Sequence, residues 1–164
     1  VNVSLAARVQ GLVDAFERIG RTRMAGVPIL NPALRVQAIG FAAQQHAGAE
    51  AGGALGILVT PWFMNLIWLA APDTAAPPVG ETTLRRIGGE ALEFIAAHDE
   101  ATGAYELCSL YSPMFEFDDQ ASACAIAEAV LHALRQAPAP IPAQREPAPA
   151  RRAFLFGRSG AAAP

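Results

Sequence analysis

The sequence contains no lysine; all twelve basic residues are arginine. That removes a P-loop lysine, a Schiff-base lysine and a serine–lysine dyad from the chemistries open to the chain. Cysteine is scarce, with only Cys108 and Cys124, too far apart for a metal-binding pair. Cys124 falls in a helical pattern among alanines, so two reduced thiols in a cytosolic protein are expected rather than a disulfide. His46, His98 and His132 are scattered, without ligand-spaced neighbours. Charge is sparse as well: 16% of residues, with a net of −3, which gives no electrostatic reason to expect a nucleic-acid partner. The dinucleotide fingerprint, the nucleophile elbow and the zinc-protease motif are all missing. Glu116, Asp118 and Asp119 form the one carboxylate cluster, and they sit at a helix start, where capping and the helix dipole account for them. No catalytic residue, metal site or cofactor is therefore expected, and the chain reads as a binding protein.

What is present is apolar residue, at 52%, enough for one self-sufficient core in 164 residues. The first segment is amphipathic and carries no signal-peptide core. Leu5, Val9, Leu12, Phe16 and Ile19 share one helical face, with Asn2 or Ser4 as cap. Asn31-Pro32 marks a turn, and a strand follows from Leu34 to Ala43, with Gln37, Ile39 and Phe41 on one side. Ala51 to Pro72 holds no charge and is long enough to span a bilayer. Pro61, Asn65 and the early glycines argue instead for two buried strands, or one long strand bent at Pro61. Leu92, Phe94 and Ala96 alternate in a further strand. Asp99 to Gly103 reads as a hairpin loop, and Tyr105 to Tyr111 as the return, with Tyr105, Leu107, Ser109 and Tyr111 on one side. Asp118 or Asp119 caps a last helix whose apolar face is Ala123, Ile126, Ala127, Val130, Leu131 and Leu134. The expected fold is α+β: a single antiparallel sheet of about four to five strands, with the N- and C-terminal helices packed on one face of it.

The expected domain runs over 1–136. Residues 137–164 carry six of the thirteen prolines and are expected to be a disordered tail. The first part holds eight arginines against fourteen acids, a net of −6, and the tail four arginines against one acid, a net of +3. The two parts therefore attract one another weakly, or the tail seeks an acidic partner.

Two segments combine a proline with methionine and large aromatics: Thr60-Pro61-Trp62-Phe63-Met64-Asn65, and Ser109 through Ser112-Pro113-Met114-Phe115-Glu116 to Phe117. They read either as core aromatics at strand ends or as an adaptable contact surface. On the second reading Trp62, Phe63, Met64, Tyr111, Met114 and Phe115 meet a partner chain through apolar contact, and Glu116 adds polar recognition.

Together with Asn31-Pro32-Ala33-Leu34-Arg35-Val36, these stretches resemble the HybE/HupJ type of nickel–iron hydrogenase assembly chaperone. The likeness covers roughly residues 3 to 136. Some members of that family are joined to a rubredoxin, whose CxxC pairs are absent here. The resemblance implies a cytoplasmic, non-enzymatic maturation chaperone without a membrane span. Its implied partners are a hydrogenase precursor subunit, in some cases the small subunit with its twin-arginine signal, and other maturation factors. The tail carries Arg151-Arg152-Ala153-Phe154-Leu155, close to the twin-arginine pattern but at the wrong end of a chain for export. Arg151, Arg152, Phe154 and Leu155 are thus expected to occupy the chaperone's own signal-binding groove. The alternative function is a redox- or metal-handling accessory acting through Cys108 during maturation.

Overall fold

The structure, a computed structural model, describes residues 3–44 and 52–136. His46 and the tail with its paired arginines lie outside the described residues. Helix α1 (Leu5–Arg21) is followed by strands β1 (Gln37–Gln44), β2 (Gly53–Val59), β3 (Met64–Ala70), β4 (Thr82–Ile87), β5 (Glu90–Asp99) and β6 (Gly103–Tyr111), then by helix α2 (Gln120–Arg135). The strands form one antiparallel sheet in the order β1-β2-β3-β6-β5-β4. From β3 the chain runs to the far edge, and two hairpins then bring β6 back beside β3. The sheet has six strands, more than the four or five expected.

The ends of both helices follow their sequences. The Ser4 hydroxyl accepts the Ala7 N–H at the start of α1 (3.2 Å), and the Asp119 carboxylate accepts the Ser122 N–H at the start of α2 (2.7 Å); each satisfies a donor that the first helical turn leaves unpaired. The stripe on α1 buries Leu12 and Phe16 against Ala54, Leu58, Ile67, Leu69 and Tyr105. Helix α2 buries Ala123, Ala127 and Leu131 against Leu55, Ile57, Leu66 and Trp68. These are alternate residues of the same strands, so the helices cover opposite faces of the sheet. The expectation that both lie on one face fails, because β2 and β3 are apolar on both sides and each side needs a cover. That double cover also explains the charge-free run. Strands packed on both faces read as continuous apolar segments rather than alternating ones, and Leu55, Ile57, Leu58, Val59, Leu66 and Ile67 are all sealed. Burying each such side chain contributes about 1.5–3 kcal/mol. No helix among the described residues is long and apolar enough to cross a membrane.

Two β-bulges reassign side chains. In β1 the register slips between Ile39 and Ala42, with Gly40 at φ 60°, a left-handed conformation that favours glycine. Ile39 therefore packs on the α2 side and Phe41 on the α1 side, not together as alternation predicted. Phe41 lies flat over Gly56, where a Cβ would come within 2.3 Å of its ring. A second slip sits where β3 meets β6, with Met64 opposite Tyr111 but Asn65 opposite Ser109. It turns Tyr111 onto the α2 side, against Phe117 (ring centroids 5.1 Å apart) and away from Tyr105 and Leu107. Ile126, expected in the core, is 38% exposed.

Candidate functional site

Three loops meet at one end of the sheet: the stretch leading into β1, the β2–β3 turn, and the β6–α2 connection. Asn31 ties them together. Its backbone N–H donates to the Pro61 carbonyl (2.8 Å). Its side-chain amide donates to the carbonyls of Met114 (3.0 Å) and Phe117 (2.8 Å), while its Oδ1 accepts the Ala33 N–H (3.0 Å). Asn31 is buried, so each bond is made where an unpaired group would be costly. Thr60 shapes the second loop: its hydroxyl accepts the N–H groups of Trp62 (3.2 Å) and Phe63 (2.9 Å) and donates to the Phe63 carbonyl (3.0 Å). The Ser112 hydroxyl donates to the Trp62 carbonyl (3.5 Å). At the α2 side, the Arg35 N–H donates to Gln120 Oε1 (3.0 Å).

This clamp sorts the residues expected to meet a partner. Met64 and Met114 are fully buried and Trp62 nearly so. Met64 and Met114 belong to the core under α2, and Trp62 packs beside Phe16 on the α1 side. Placing these three on a contact surface is therefore corrected. Trp62 and Met114 take inward positions of their loops and Met64 the first inward position of β3, where a large apolar side chain gains most from burial. Phe63 and Tyr111 are half-buried, in edge contact with Phe16 and Phe117 respectively. Phe115 is 58% exposed, with Glu116 exposed beside it. Between Met114 and Phe117, both anchored inward and both held by Asn31 at their carbonyls, Phe115 and Glu116 are thrust outward. Asp118 and Asp119, both exposed, follow in sequence, and Arg35, whose N–H meets Gln120, is an exposed cation. The Ser122 N–H on its carboxylate holds Asp119 below the usual carboxylate range.

Cys108 lies half-buried in β6, packed against the α2-side core. Burial, reinforced by Glu93, pushes its thiol up from the ordinary value, which depletes the thiolate that nucleophilic or metal chemistry needs. Among the described residues, no three His, Cys, Asp or Glu side chains are grouped to hold a metal ion.

Other tethers gave little sequence signal. Arg8 in α1 donates to the carbonyls of Ala70 (2.6 Å), Ala104 (3.1 Å) and Thr102 (3.4 Å), and burial lowers its pKa. Arg135 in α2 donates to those of Gly40 and Leu55. Arg85 in β4 forms a two-pronged ion pair with Glu106 (3.0 and 2.6 Å) and lies 4.7 Å from the Trp68 ring. An arginine on an exposed-looking strand shows nothing of this until the fold brings its acid across.

Residues 7–157 match the model of the family described as [NiFe]-hydrogenase assembly, chaperone, HybE. The chain belongs to the HybE family of [NiFe]-hydrogenase assembly chaperones. The match runs to Gly157, beyond the roughly 3–136 that the resemblance covered. Among the family's members, the Protein HoxT of Cupriavidus necator is 49% identical over 159 residues, spanning 92% of this chain and 89% of the relative. A longer relative, the Probable rubredoxin HupJ of Rhodobacter capsulatus, is 38% identical and aligns over 76% of this chain but 44% of its own length. The solution structure of HybE from Escherichia coli shares the fold, with a TM-score of 0.62 at 22% identity, covering 94% of this chain and 92% of that one.

Proposed function

We propose that this HybE-family chaperone works without catalysis, in the cytoplasm, by holding a [NiFe]-hydrogenase precursor subunit against the clamped loop end before export. The small subunit with its twin-arginine signal is the client whose chemistry fits best. Paired guanidiniums suit the exposed carboxylates of Glu116, Asp118 and Asp119, and the apolar residues of such a signal suit Phe115 and the half-buried edges of Phe63 and Tyr111. The observation that carries the reading is the orientation of the 112–119 loop. Asn31, Met114 and Phe117 fix its backbone, so Phe115 is presented at little further entropic cost, as a preorganised contact requires.

An affinity pull-down from the native cell, with partners identified by mass spectrometry, tests it. The wild-type chain should retain a hydrogenase precursor, and Phe115→Ala with Glu116→Lys should lose it while unfolding at the same denaturant concentration. Retention of an unrelated set of proteins, equal for both chains, would sink the reading.

A further inference from the structure

We propose that residues 151–156 of this chain, Arg-Arg-Ala-Phe-Leu-Phe, dock on the chain's own loop end across Phe115 and occupy the surface a client would use. The inference rests on the loop end being the client surface.

The surface and the segment are complementary in kind. The loop end presents an exposed aromatic ring, with Ile29 (41% exposed) two residues before the Asn31 clamp. Glu116, Asp118 and Asp119, all exposed, follow it in sequence; the exposed cations toward this end are Arg35 and, at the end of α1 beside Trp62, Arg21 and Arg23. The segment presents two adjacent guanidiniums followed by Phe154, Leu155 and Phe156. The residues beyond 136 carry four arginines against one acid, so attraction to an acidic surface favours docking over release.

Reach is sufficient. Helix α2 starts in the loop end, at its Asp119 cap, and finishes at Arg135. A chain leaving its far end must return the length of sixteen residues, about 24 Å at 1.5 Å per residue. The fourteen residues 137–150, five of them proline, can extend to roughly 43 Å at about 3.1 Å per residue. That slack permits return without strain. The tether places the segment at a local concentration of order 1 mM, so even a weak contact is largely occupied. The family match through Gly157 includes the segment, so it belongs to the family's own extent and is not an appendage to it.

The test compares backbone amide chemical shifts in the full-length chain with those in Arg151→Glu/Arg152→Glu and in Phe154→Ala. The amides of residues 112–119 should shift in both variants, and should shift alike when salt is raised in the wild type. The differences should be independent of protein concentration. Loop amides identical in all three chains would overturn the proposal, as would a concentration-dependent shift, which reports docking between copies. A synthetic peptide carrying Ser-Arg-Arg-Ala-Phe-Leu-Lys, titrated into each chain, separates this from the client reading. Release of the tail should tighten its binding about tenfold, and Phe115→Ala should erase that gain. Equal peptide affinity for wild type and the Arg151→Glu/Arg152→Glu variant would overturn self-occlusion. A peptide that binds neither chain, with the amide differences intact, would remove the signal-client reading and leave tail docking standing.

Discussion

Strands β3 and β4 are of nearly equal length, seven and six residues, and belong to one sheet, yet they are held by opposite means. β3 lies under both helices, and six of its seven residues are buried. β4 is one of the two edges, β1 being the other. β4 alternates exposed and covered positions, leaves Leu84 62% exposed, pairs with β5 along one side only, and adds Ile87 in the core and Arg85 on Glu106 to that ladder. Where two covers exist, apolar area on both faces adds to the ladders on either side. Where one is missing, a geometrically demanding ion pair, with the guanidinium over Trp68, adds to the ladder with β5.

The sharpest way to break this contrast is Glu106→Ala, which strands a buried guanidinium. It should lower the unfolding free energy by about 3–5 kcal/mol in urea titration. A double change, Arg85→Met with Glu106→Leu, should recover most of that, since apolar substitutes remove the desolvation cost as well as the pair. Truncating the double-covered strand comes next. Leu66→Ala should cost about 2–5 kcal/mol, whereas Leu84→Ala on the open edge should stay within about 0.5 kcal/mol. Equal losses would erase the distinction between the strands. Asn31→Ala extends the comparison to the loop end. It removes the amide donor from the Phe117 and Met114 carbonyls, the latter keeping the Phe117 N–H, and should cost about 1–3 kcal/mol, with client retention falling further than stability accounts for. The smallest effect falls on Cys108. Its thiol is raised by burial, so the proton leaves only above the ordinary thiol range. Alkylation by iodoacetamide should therefore rise with pH later than it does for a peptide thiol, and Cys108→Ser should spare client retention. A midpoint at or below the ordinary value would revive a thiol-based role.

The sequence carried the elements well and the faces poorly. The stripe from Leu5 to Ile19, the helix cap at Asp118 or Asp119, which the structure places at Asp119, and the strand break at Pro61, which separates β2 from β3, are local patterns, and local chemistry decides them. Phe41 and Tyr111 were assigned to the wrong sides because each lies next to a bulge, and one inserted residue reverses alternation without altering composition. The placement of the helices on opposite faces was implicit in the charge-free run, since a strand apolar on both sides demands two covers. At the loop end, proline–methionine–aromatic strings marked the right place but not the direction of each side chain. Met64 and Met114 turn inward and Phe115 outward because Asn31, more than 80 residues from Met114 in the chain, fixes the carbonyls on either side of Phe115.

The bulge at Gly40 has a consequence for solubility. An edge strand is a template for further strands. At β1 the carbonyl of Gly40 is already taken by Arg135 and the backbone is kinked out of the flat geometry that a recruited strand requires. The kinked stretch at Gly40 therefore makes this border a poorer template for a further strand than a regular edge would be.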